Sequence, residues 1–334
     1  MIKPIHNCII NKNTKTKPIW FMRQAGRYLP EFRKIRKINK DFLKLCLNEK
    51  LSTKITLQPL QRYDLSAAII FSDILTVPYA LNQKINFKKN FGPELGNINL
   101  NILLKINNKQ FTKKLKPIYN SIKKVKSNKL LKNKNLIGFI GAPWTLLVYM
   151  INKKSPKNII LNNFFFNKNL IDKILIKIEE VLKIHVENQI NNGADVIQIF
   201  DSWAGLLDKK NIPKYIYEPT LNIVNFIKSK NIPVICFPKN IKNYKEYIEI
   251  IKPDAISIDY NIDPKIIKKE IKIPVQGGLD PNILLLDKEN IKKEALKYLD
   301  IFKDHPYIFN LGHGVLPKTD PMMIDYLVKL VNDY

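Results

Sequence analysis

The chain has 334 residues, of which 45% are hydrophobic and 25% are charged, so it is too apolar to be intrinsically disordered and long enough to bury a large core. Its net charge of +27 would ordinarily indicate a nucleic acid or an anionic surface as a partner. The excess charge is lysine, and few aromatic residues accompany the lysines between Lys105 and Lys134, so a solvated lysine-rich face is favoured over a nucleic-acid site.

The three cysteines, Cys8, Cys46 and Cys236, stand far apart in the sequence and form no CxxC or CxxH pair. This spacing argues against a disulfide framework and against a structural zinc site. The N-terminal residues contain no apolar signal core, and no later run approaches the ~20 apolar residues that span a bilayer. We therefore expect a cytoplasmic protein without a membrane span.

Seven short apolar runs recur along the chain, and most are followed by a stretch with helical spacing. The runs cover residues 67–71, 136–141, 196–200, 233–237, 255–258, 274–277 and 307–310. The clearest amphipathic stretches between them are residues 170–191 and 212–228. Alternation of strand and helix indicates parallel strands that are buried on both faces, in either a doubly wound sheet or a closed (β/α)8 barrel.

Two features favour the barrel. No glycine-rich dinucleotide-binding turn follows an early strand, and polar or glycine residues collect at the carboxyl ends of most strands. These ends are Ser72-Asp73, Ala142-Pro143-Trp144, Asp201-Ser202, Asp259, Gly278-Leu279-Asp280 and Gly312-His313-Gly314. A barrel brings all of them to one mouth, whereas a doubly wound sheet scatters them.

The fold prediction is therefore an α/β fold of one domain, residues 1–334, built as a (β/α)8 TIM barrel. Residues 80–105 contain alternating stretches and a Gly92-Pro93 turn, which predict a small inserted hairpin. The eighth strand is not evident from the sequence.

The first candidate site residues are Arg23 and Arg27, which lie four positions apart around Gly26. Both guanidinium groups can face one side of a helical turn or of a bent loop, and a guanidinium fork matches a carboxylate. The alternative is that either arginine pairs with a local acid such as Glu31.

Asp73 follows the apolar run at 67–71 and precedes Ile74 and Leu75, which predicts a carboxylate in apolar surroundings at the barrel mouth. An ionised carboxylate in such a place requires a cation or N–H donors as partners. The alternative is that Asp73 is the N-cap of a helix.

Three further residues are candidates for the same mouth. His313 lies between glycines at the end of the last strand, where its ring can donate to an acid. Ser202 follows the strand at 196–200 and offers a hydroxyl donor, and Tyr149 offers a phenol. The alternatives are a structural histidine, a serine N-cap and a tyrosine packed in the core.

Taken together, five segments resemble the uroporphyrinogen decarboxylase family in order and spacing, across essentially the whole chain. The segments are Met22-Arg23-Gln24-Ala25-Gly26-Arg27-Tyr28-Leu29-Pro30, Phe71-Ser72-Asp73-Ile74-Leu75, Gly141-Ala142-Pro143-Trp144-Thr145, Phe200-Asp201-Ser202-Trp203 and Asn310-Leu311-Gly312-His313-Gly314. The first and the last of them are the most specific.

The resemblance implies a single-domain barrel, usually a homodimer, that converts uroporphyrinogen III to coproporphyrinogen III by removing CO2 from four acetate side chains. It implies no metal and no other cofactor. The implied ligands are uroporphyrinogen III and its partly decarboxylated intermediates.

The resemblance also implies roles for individual residues. Arg23 and Arg27 bind substrate carboxylates, and Asp73 accepts hydrogen bonds from the pyrrole N–H groups, so these three are the implied catalytic residues. The implied substrate-binding residues are Arg23, Gln24, Ala25, Gly26, Arg27, Asp73, Tyr149, Ser202 and His313.

The chain departs from the family pattern in two loops. Phe237-Pro238-Lys239-Asn240 lacks the usual Lys-Gly-Gly turn, and Gln276-Gly277-Gly278 replaces a more usual Gly-Asn pair. Two alternative functions remain. One is a zinc- and cobamide-dependent methyltransferase of the same superfamily, which would need one histidine and two cysteines at a metal. The other is a basic protein that binds nucleic acid or an anionic surface.

Overall fold

A computed structural model describes residues 2–88, 92–156 and 168–334 of the chain. Its strands are β1 (Ala67–Ile69), β2 (Ile85–Lys88), β3 (Gly92–Leu95), β4 (Asn135–Gly141), β5 (Val196–Asp201), β6 (Val234–Pro238), β7 (Ala255–Ile258), β8 (Val275–Gly277) and β9 (Tyr307–Ile308). Its helices are α1 (Pro4–Ile10), α2 (Pro30–Ile38), α3 (Phe42–Cys46), α4 (Glu49–Arg62), α5 (Thr76–Ala80), α6 (Leu100–Lys105), α7 (Asn108–Lys126), α8 (Pro143–Asn152), α9 (Lys168–Asn191), α10 (Glu218–Ser229), α11 (Tyr244–Ile251), α12 (Pro264–Glu270), α13 (Lys288–Ile301) and α14 (Pro321–Asn332).

Seven of the strands form one parallel sheet, in the order β1, β4, β5, β6, β7, β8, β9. Each of them overlaps one of the seven predicted runs, and helices follow most of them along the chain. The strands are short and almost entirely buried, as expected when helices cover the outer face of a curled parallel sheet. The predicted α/β barrel is confirmed.

The missing eighth position is occupied by the segment 18–21, between β9 and β1. Ile19 forms a parallel bridge with Phe309, and the amide of Phe309 donates to Pro18 O at 2.8 Å. On its other side, Ile19 O accepts from Ser66 N at 2.8 Å, and Ile19 N donates to Ser66 Oγ at 3.0 Å. The segment is too short and too poorly paired to be recognised from sequence, because Pro18 has no N–H and the chain turns away after Phe21.

Helix α1 closes the barrel at the amino ends of the strands. Its Ile5 amide donates to the Asn135 side chain at the start of β4, at 2.9 Å. Asp195, just before β5, accepts ion pairs from Lys3 at 2.6 Å and from Lys126 at 2.5 Å. The carboxyl ends of the strands therefore form the opposite face of the barrel.

The inserted hairpin is present, as predicted. Strands β2 and β3 pair antiparallel, and Leu95 N donates to Lys153 O at 2.7 Å, which ties the hairpin to the end of α8. The predicted position of its turn is wrong, because Gly92 and Pro93 are the first two residues of β3 and pair with β2. A two-stranded sheet has only edge strands, and an edge strand tolerates a proline.

Within the described ranges, every helix is too short or too polar to cross a lipid bilayer.

Candidate active site

The loops that follow the strands gather at the carboxyl face of the barrel, where active sites of this fold lie. The segment 18–21 leads into Arg23, β1 into Asp73, β5 into Ser202 and β9 into His313. Tyr149 reaches the same face from helix α8.

The loop that carries Arg23 is held against the barrel by Gln24. The side chain of Gln24 donates to Ala67 O at 3.1 Å and accepts from Phe21 N at 3.1 Å. Arg23 itself has a φ of 61°, in the left-handed region that is unfavourable for a non-glycine residue. The anchored Gln24 beside it helps to hold Arg23 in this unfavourable backbone conformation.

Gln24 is held on the inner side of this loop. Gln24 is fully buried. Its backbone N–H donates to Phe21 O, and its backbone carbonyl accepts from the Tyr28 hydroxyl. Gln24 therefore anchors the loop from inside, and its place in the substrate pocket stays a prediction. Ala25 and Gly26 are half-buried, and their amides donate to no acceptor in the described part of the chain.

The two arginines differ in their surroundings. Arg23 packs its aliphatic stem so closely on Gly314 that a Cβ added to Gly314 would lie 2.6 Å from Arg23 Cγ. Both arginines are exposed, and the Arg27 carbonyl accepts from Arg33 at 3.0 Å. The alternative that either arginine pairs with Glu31 is wrong, because Glu31 binds Arg62 through two hydrogen bonds of 2.9 and 3.0 Å.

Asp73 is poised to accept hydrogen bonds. Its Oδ1 accepts from Leu75 N at 2.8 Å, while Oδ2 has no hydrogen-bond partner among the described residues. Helix α5 begins at Thr76 with Leu75 as its N-cap, so Asp73 forms a turn before the helix and is not the N-cap. Burial raises the pKa of Asp73 to about 6, against the opposing effects of the Leu75 amide and the Arg23 charge.

His313 is a neutral hydrogen-bond donor. Its Nδ1 accepts from Gly314 N at 2.6 Å, so the ring proton lies on Nε2. Burial, together with the charges of Arg23 and Lys239, lowers the pKa of His313 to about 3. This pKa leaves the ring uncharged near neutral pH.

Tyr149 and Ser202 lie on neighbouring elements at the mouth. The Tyr149 ring meets the Trp203 ring edge to face, with 5.7 Å between centroids. Burial raises the pKa of Tyr149, and the charges of Asp73 and Arg23 also act on it. Ser202 is half-buried in the turn after β5, and it is not an N-cap, because the following helical turn starts at Ala204 with Trp203 as its cap.

Three aromatic residues that the sequence reasoning missed lie beneath this group. Phe139 and Phe200 stand edge to face at 5.7 Å, and Phe200 and Phe237 at 6.3 Å. They come from β4, β5 and β6 at positions that face the barrel interior. Their position in the sequence could have identified them. Phe139 is two residues before the end of β4, and Phe200 and Phe237 are each one residue before the end of β5 and β6.

Two charged residues were also missed. Lys239, half-buried after β6, has its pKa lowered by burial and by Arg23, while Asp259 opposes this. Asp201, at the end of β5, is buried, and burial raises its pKa to about 7 against the Thr145 hydroxyl. Sequence alone does not distinguish such residues from exposed ones at the end of a strand.

The loop at residues 237–240 reaches its turn without glycine. Asn240 takes a φ of 60°, which asparagine tolerates better than most residues. Its amide donates to Asp259 Oδ2 at 2.7 Å, and its side chain accepts from Asn261 at 2.9 Å. The departure from the expected glycine pattern is therefore accommodated by asparagine and Asp259.

The three cysteines are free, buried and separated. Cys8 is in α1 at the opposite end of the barrel from the mouth, Cys46 is in α3, and Cys236 is within β6. None lies beside His313. Within residues 2–88, 92–156 and 168–334, no three His, Cys, Asp or Glu side chains are grouped so that they could hold a metal ion.

Comparison with known proteins gives one consistent family. The family model described as uroporphyrinogen decarboxylase (URO-D) matches residues 2–334. The uroporphyrinogen decarboxylase of Wolbachia pipientis wMel is 46% identical over 322 residues, covering 95% of this chain and 94% of that protein. That of Rickettsia bellii is 42% identical over 323 residues, with 95% of each chain covered.

One solved structure has a similar fold. A methyltransferase from Methanosarcina mazei superposes with a TM-score of 0.80 over 98% of this chain and 96% of its own. Its sequence identity is 16%, so the likeness concerns the fold alone.

Proposed function

The chain belongs to the uroporphyrinogen decarboxylase family, and from this premise we propose that it removes CO2 from the four acetate side chains of uroporphyrinogen III, giving coproporphyrinogen III in haem biosynthesis. The observation that carries the proposal is Asp73, a half-buried carboxylate with one oxygen unpaired among the described residues, near Arg23 at the barrel mouth. Anaerobic incubation with uroporphyrinogen III should yield porphyrinogens with seven, six, five and finally four carboxyl groups. A product that keeps all eight carboxyl groups would refute the proposal.

Two kinds of surface are proposed to bind the macrocycle, one for its pyrrole rings and one for its carboxylate side chains. The phenylalanines Phe139, Phe200 and Phe237 form an apolar floor for the pyrrole rings. Carboxylate side chains of the substrate are bound around it by Arg23 and Arg27, by the amides of Ala25 and Gly26, and by neutral donors. The neutral donors are Tyr149, Ser202 and His313 through Nε2–H. Lys239 adds a cation that the sequence did not suggest.

The chemistry requires an acceptor for the electron pair that CO2 leaves behind. Protonation of a pyrrole carbon makes the ring cationic, and the C–C bond to the carboxylate then breaks with its electron pair moving into that ring. Protonation of the resulting methylene carbon, with loss of the first proton from the ring carbon, gives the methyl group and restores the pyrrole. The ring supplies the electron sink, so the residues need to stabilise a positive charge.

Asp73 is proposed to provide this stabilisation. Its unpaired Oδ2 accepts pyrrole N–H groups in the ground state and faces the cationic ring as it forms. At ~4 Å and an effective dielectric constant of ~20, a full charge pair contributes about 4 kcal/mol. If this is gained only in the transition state, it accounts for roughly a thousandfold in rate. His313, uncharged at physiological pH, orients a carboxylate and does not supply the ring proton.

The pH dependence of catalysis should identify Asp73. Its carboxylate must be ionised to accept N–H groups, so kcat/KM should fall as the pH drops through about 6, the raised pKa of Asp73. An ordinary histidine would titrate in the same range, but burial holds His313 neutral down to about 3. His313→Gln should therefore lower kcat/KM but keep the acidic limb of the pH profile, which is the fall of kcat/KM as the pH drops through about 6. Loss of the limb in His313→Gln would contradict the assignment.

Asp201→Asn provides the control for that measurement, because Asp201 is the other carboxyl at this face with a raised pKa, about 7. The limb near 6 should remain in this variant. A limb that disappears in Asp201→Asn would assign the titration to Asp201 and contradict the role of Asp73.

We also propose that residues 1–334 act as one domain, that the protein forms a homodimer, and that it works in the cytoplasm, as the family resemblance implies. Light scattering coupled to size-exclusion chromatography should give twice the 39.0 kDa chain mass. A mass of one chain at micromolar concentration would refute the dimer.

No observation favours either alternative function. The methyltransferase would need a histidine and two cysteines together, and the cysteines lie apart. The lysines of α7 lie on its outer side, while its buried residues pack on the barrel, as expected for a solvated amphipathic helix.

A further inference from the structure

Asp201 is a buried carboxylic acid without an assigned role. It ends β5 with 1% of its surface exposed, and it precedes Ser202 directly. Phe200 packs on the residues of the barrel interior, so the side chain of Asp201 points outward, toward α8. Its Oδ2 is buried and has no hydrogen-bond partner among the described residues. A buried oxygen without a hydrogen bond destabilises the fold, so such a group is usually retained for a structural or functional reason.

The other oxygen of Asp201 fixes the turn that contains Ser202. Oδ1 accepts from Thr145 Oγ1 at 2.6 Å. The same Thr145 oxygen accepts from Trp203 N at 3.2 Å. Because the hydroxyl hydrogen points to Asp201, the oxygen lone pairs remain available for the Trp203 amide. Asp201 thereby orients Thr145 as an acceptor, and Ser202 lies between the two held residues. The backbone N–H of Trp203 also acts directly on Asp201 and lowers the pKa of its carboxyl.

The same contacts join the turn to the helix that carries Tyr149. Thr145 and Trp144 are in the first turn of α8, and Trp144 Nε1 donates to Trp203 O at 3.0 Å. One turn further along α8, the Tyr149 ring meets Trp203 edge to face at 5.7 Å. The backbone on either side of Ser202 and the ring of Tyr149 are therefore positioned by one connected set of contacts.

We propose that Asp201 is a positioning residue that, through Thr145, sets the Ser202–Trp203 turn against α8 and so determines how Ser202 and Tyr149 meet the carboxylates of the substrate. The proposal rests on the decarboxylase function proposed above. Asp201 touches no reacting atom and acts only through these neighbours.

The form of Asp201 that suits this role is the neutral acid. A buried Oδ2 without a hydrogen-bond partner is better tolerated when the group carries a proton, and burial raises the pKa of Asp201 accordingly. An asparagine has the same shape, is neutral, and keeps an oxygen that accepts from Thr145. Alanine leaves the Thr145 hydroxyl without its acceptor.

Steady-state kinetics of four variants tests the proposal, using anaerobic uroporphyrinogen III and a melting curve for each protein. Asp201→Asn and Thr145→Ser should stay within about threefold of the unaltered protein, because each keeps the hydrogen bond. Asp201→Ala and Thr145→Val should lower kcat/KM by about 30-fold, mainly through KM, because misplaced binding groups weaken substrate binding. Equal kcat/KM in Asp201→Ala and the unaltered protein would overturn the proposal.

A double-mutant cycle separates positioning from general destabilisation. If Asp201 acts through Ser202, then Ser202→Ala added to Asp201→Ala should cause little further loss of kcat/KM. Multiplication of the two separate losses would show that Asp201 acts elsewhere, and would also overturn the proposal. A lower melting temperature alone changes neither result.

Hydrogen exchange gives a readout that needs no turnover. The amide of Trp203 should exchange faster in Asp201→Ala than in Asp201→Asn, because only the alanine variant releases Thr145. Equal exchange in the two variants would refute the positioning role even if the protein proved inactive on uroporphyrinogen. Inactivity of the unaltered protein with the expected exchange difference would refute the proposed function alone.

Discussion

Replacing Asp73 with asparagine should lower kcat for the first decarboxylation about a thousandfold, because it removes roughly 4 kcal/mol of charge stabilisation from the transition state. Asparagine keeps an oxygen that accepts from Leu75 N, so the turn before α5 is preserved and only the charge is lost. Single-turnover measurements with uroporphyrinogen III report that step directly. More than a few percent of the original rate in Asp73→Asn would contradict the charge-stabilising role.

Stability provides a control for this variant. The folded-state pKa of Asp73, about 6, lies above its ordinary value of 3.8, so ionising it destabilises the fold as the pH rises through that window. At pH 7, Asp73→Asn should therefore melt at or above the temperature of the unaltered protein. Asp41→Asn is a matched control, because Asp41 caps α3 on the surface and accepts from Lys44 N at 3.0 Å. It should leave kcat unchanged.

Gly314→Ala should lower kcat/KM about 100-fold by displacing Arg23, although Arg23 itself is retained. The added Cβ would lie 2.6 Å from Arg23 Cγ and 3.0 Å from Nε, which is closer than real Cβ contacts allow. The arginine stem must move, and with it the guanidinium that we propose binds a carboxylate and whose charge acts on Asp73 and His313. Steady-state kinetics with uroporphyrinogen III measures the effect.

A double variant tests whether Gly314→Ala lowers kcat/KM by displacing Arg23. If Gly314→Ala acts through Arg23, adding it to Arg23→Ala should lower kcat/KM no further. Gly96→Ala serves as the control, because the nearest atom to its added Cβ would be Lys84 Cβ at 3.2 Å, in the region of the inserted hairpin. Full activity in Gly314→Ala would show that Arg23 is not fixed by this contact.

The barrel was predictable because its strands are short apolar runs separated by amphipathic helices. The stretch 170–191 corresponds to α9, and 212–228 to α10 together with the preceding turn at 213–217. The segment 18–21 was not predictable, since it is held by single bridges to Phe309 and Ser66 and has no strand pattern of its own. Segment 18–21 takes the place of a strand only through its contacts with Phe309, just after β9, and with Ser66, just before β1.

The site was predictable in position but not in electrostatic character. Asp73 and His313 follow strands, so topology brings them to one face. That burial keeps His313 neutral and raises the pKa of Asp73 depends on packing by loops distant in sequence. The same limit applies to Gln24, because its motif position gives no sign that its side chain anchors the loop on β1.

The central claim is that this chain decarboxylates uroporphyrinogen with the substrate ring as the electron sink and with Asp73 stabilising the charge. The most direct test measures CO2 released per uroporphyrinogen III by purified protein treated with a chelator, under anaerobic conditions, beside Asp73→Asn. Four CO2 per substrate from the unaltered protein, and almost none from Asp73→Asn in the same time, are expected. Release that depends on an added metal or cofactor, or equal release by the two proteins, would contradict the claim.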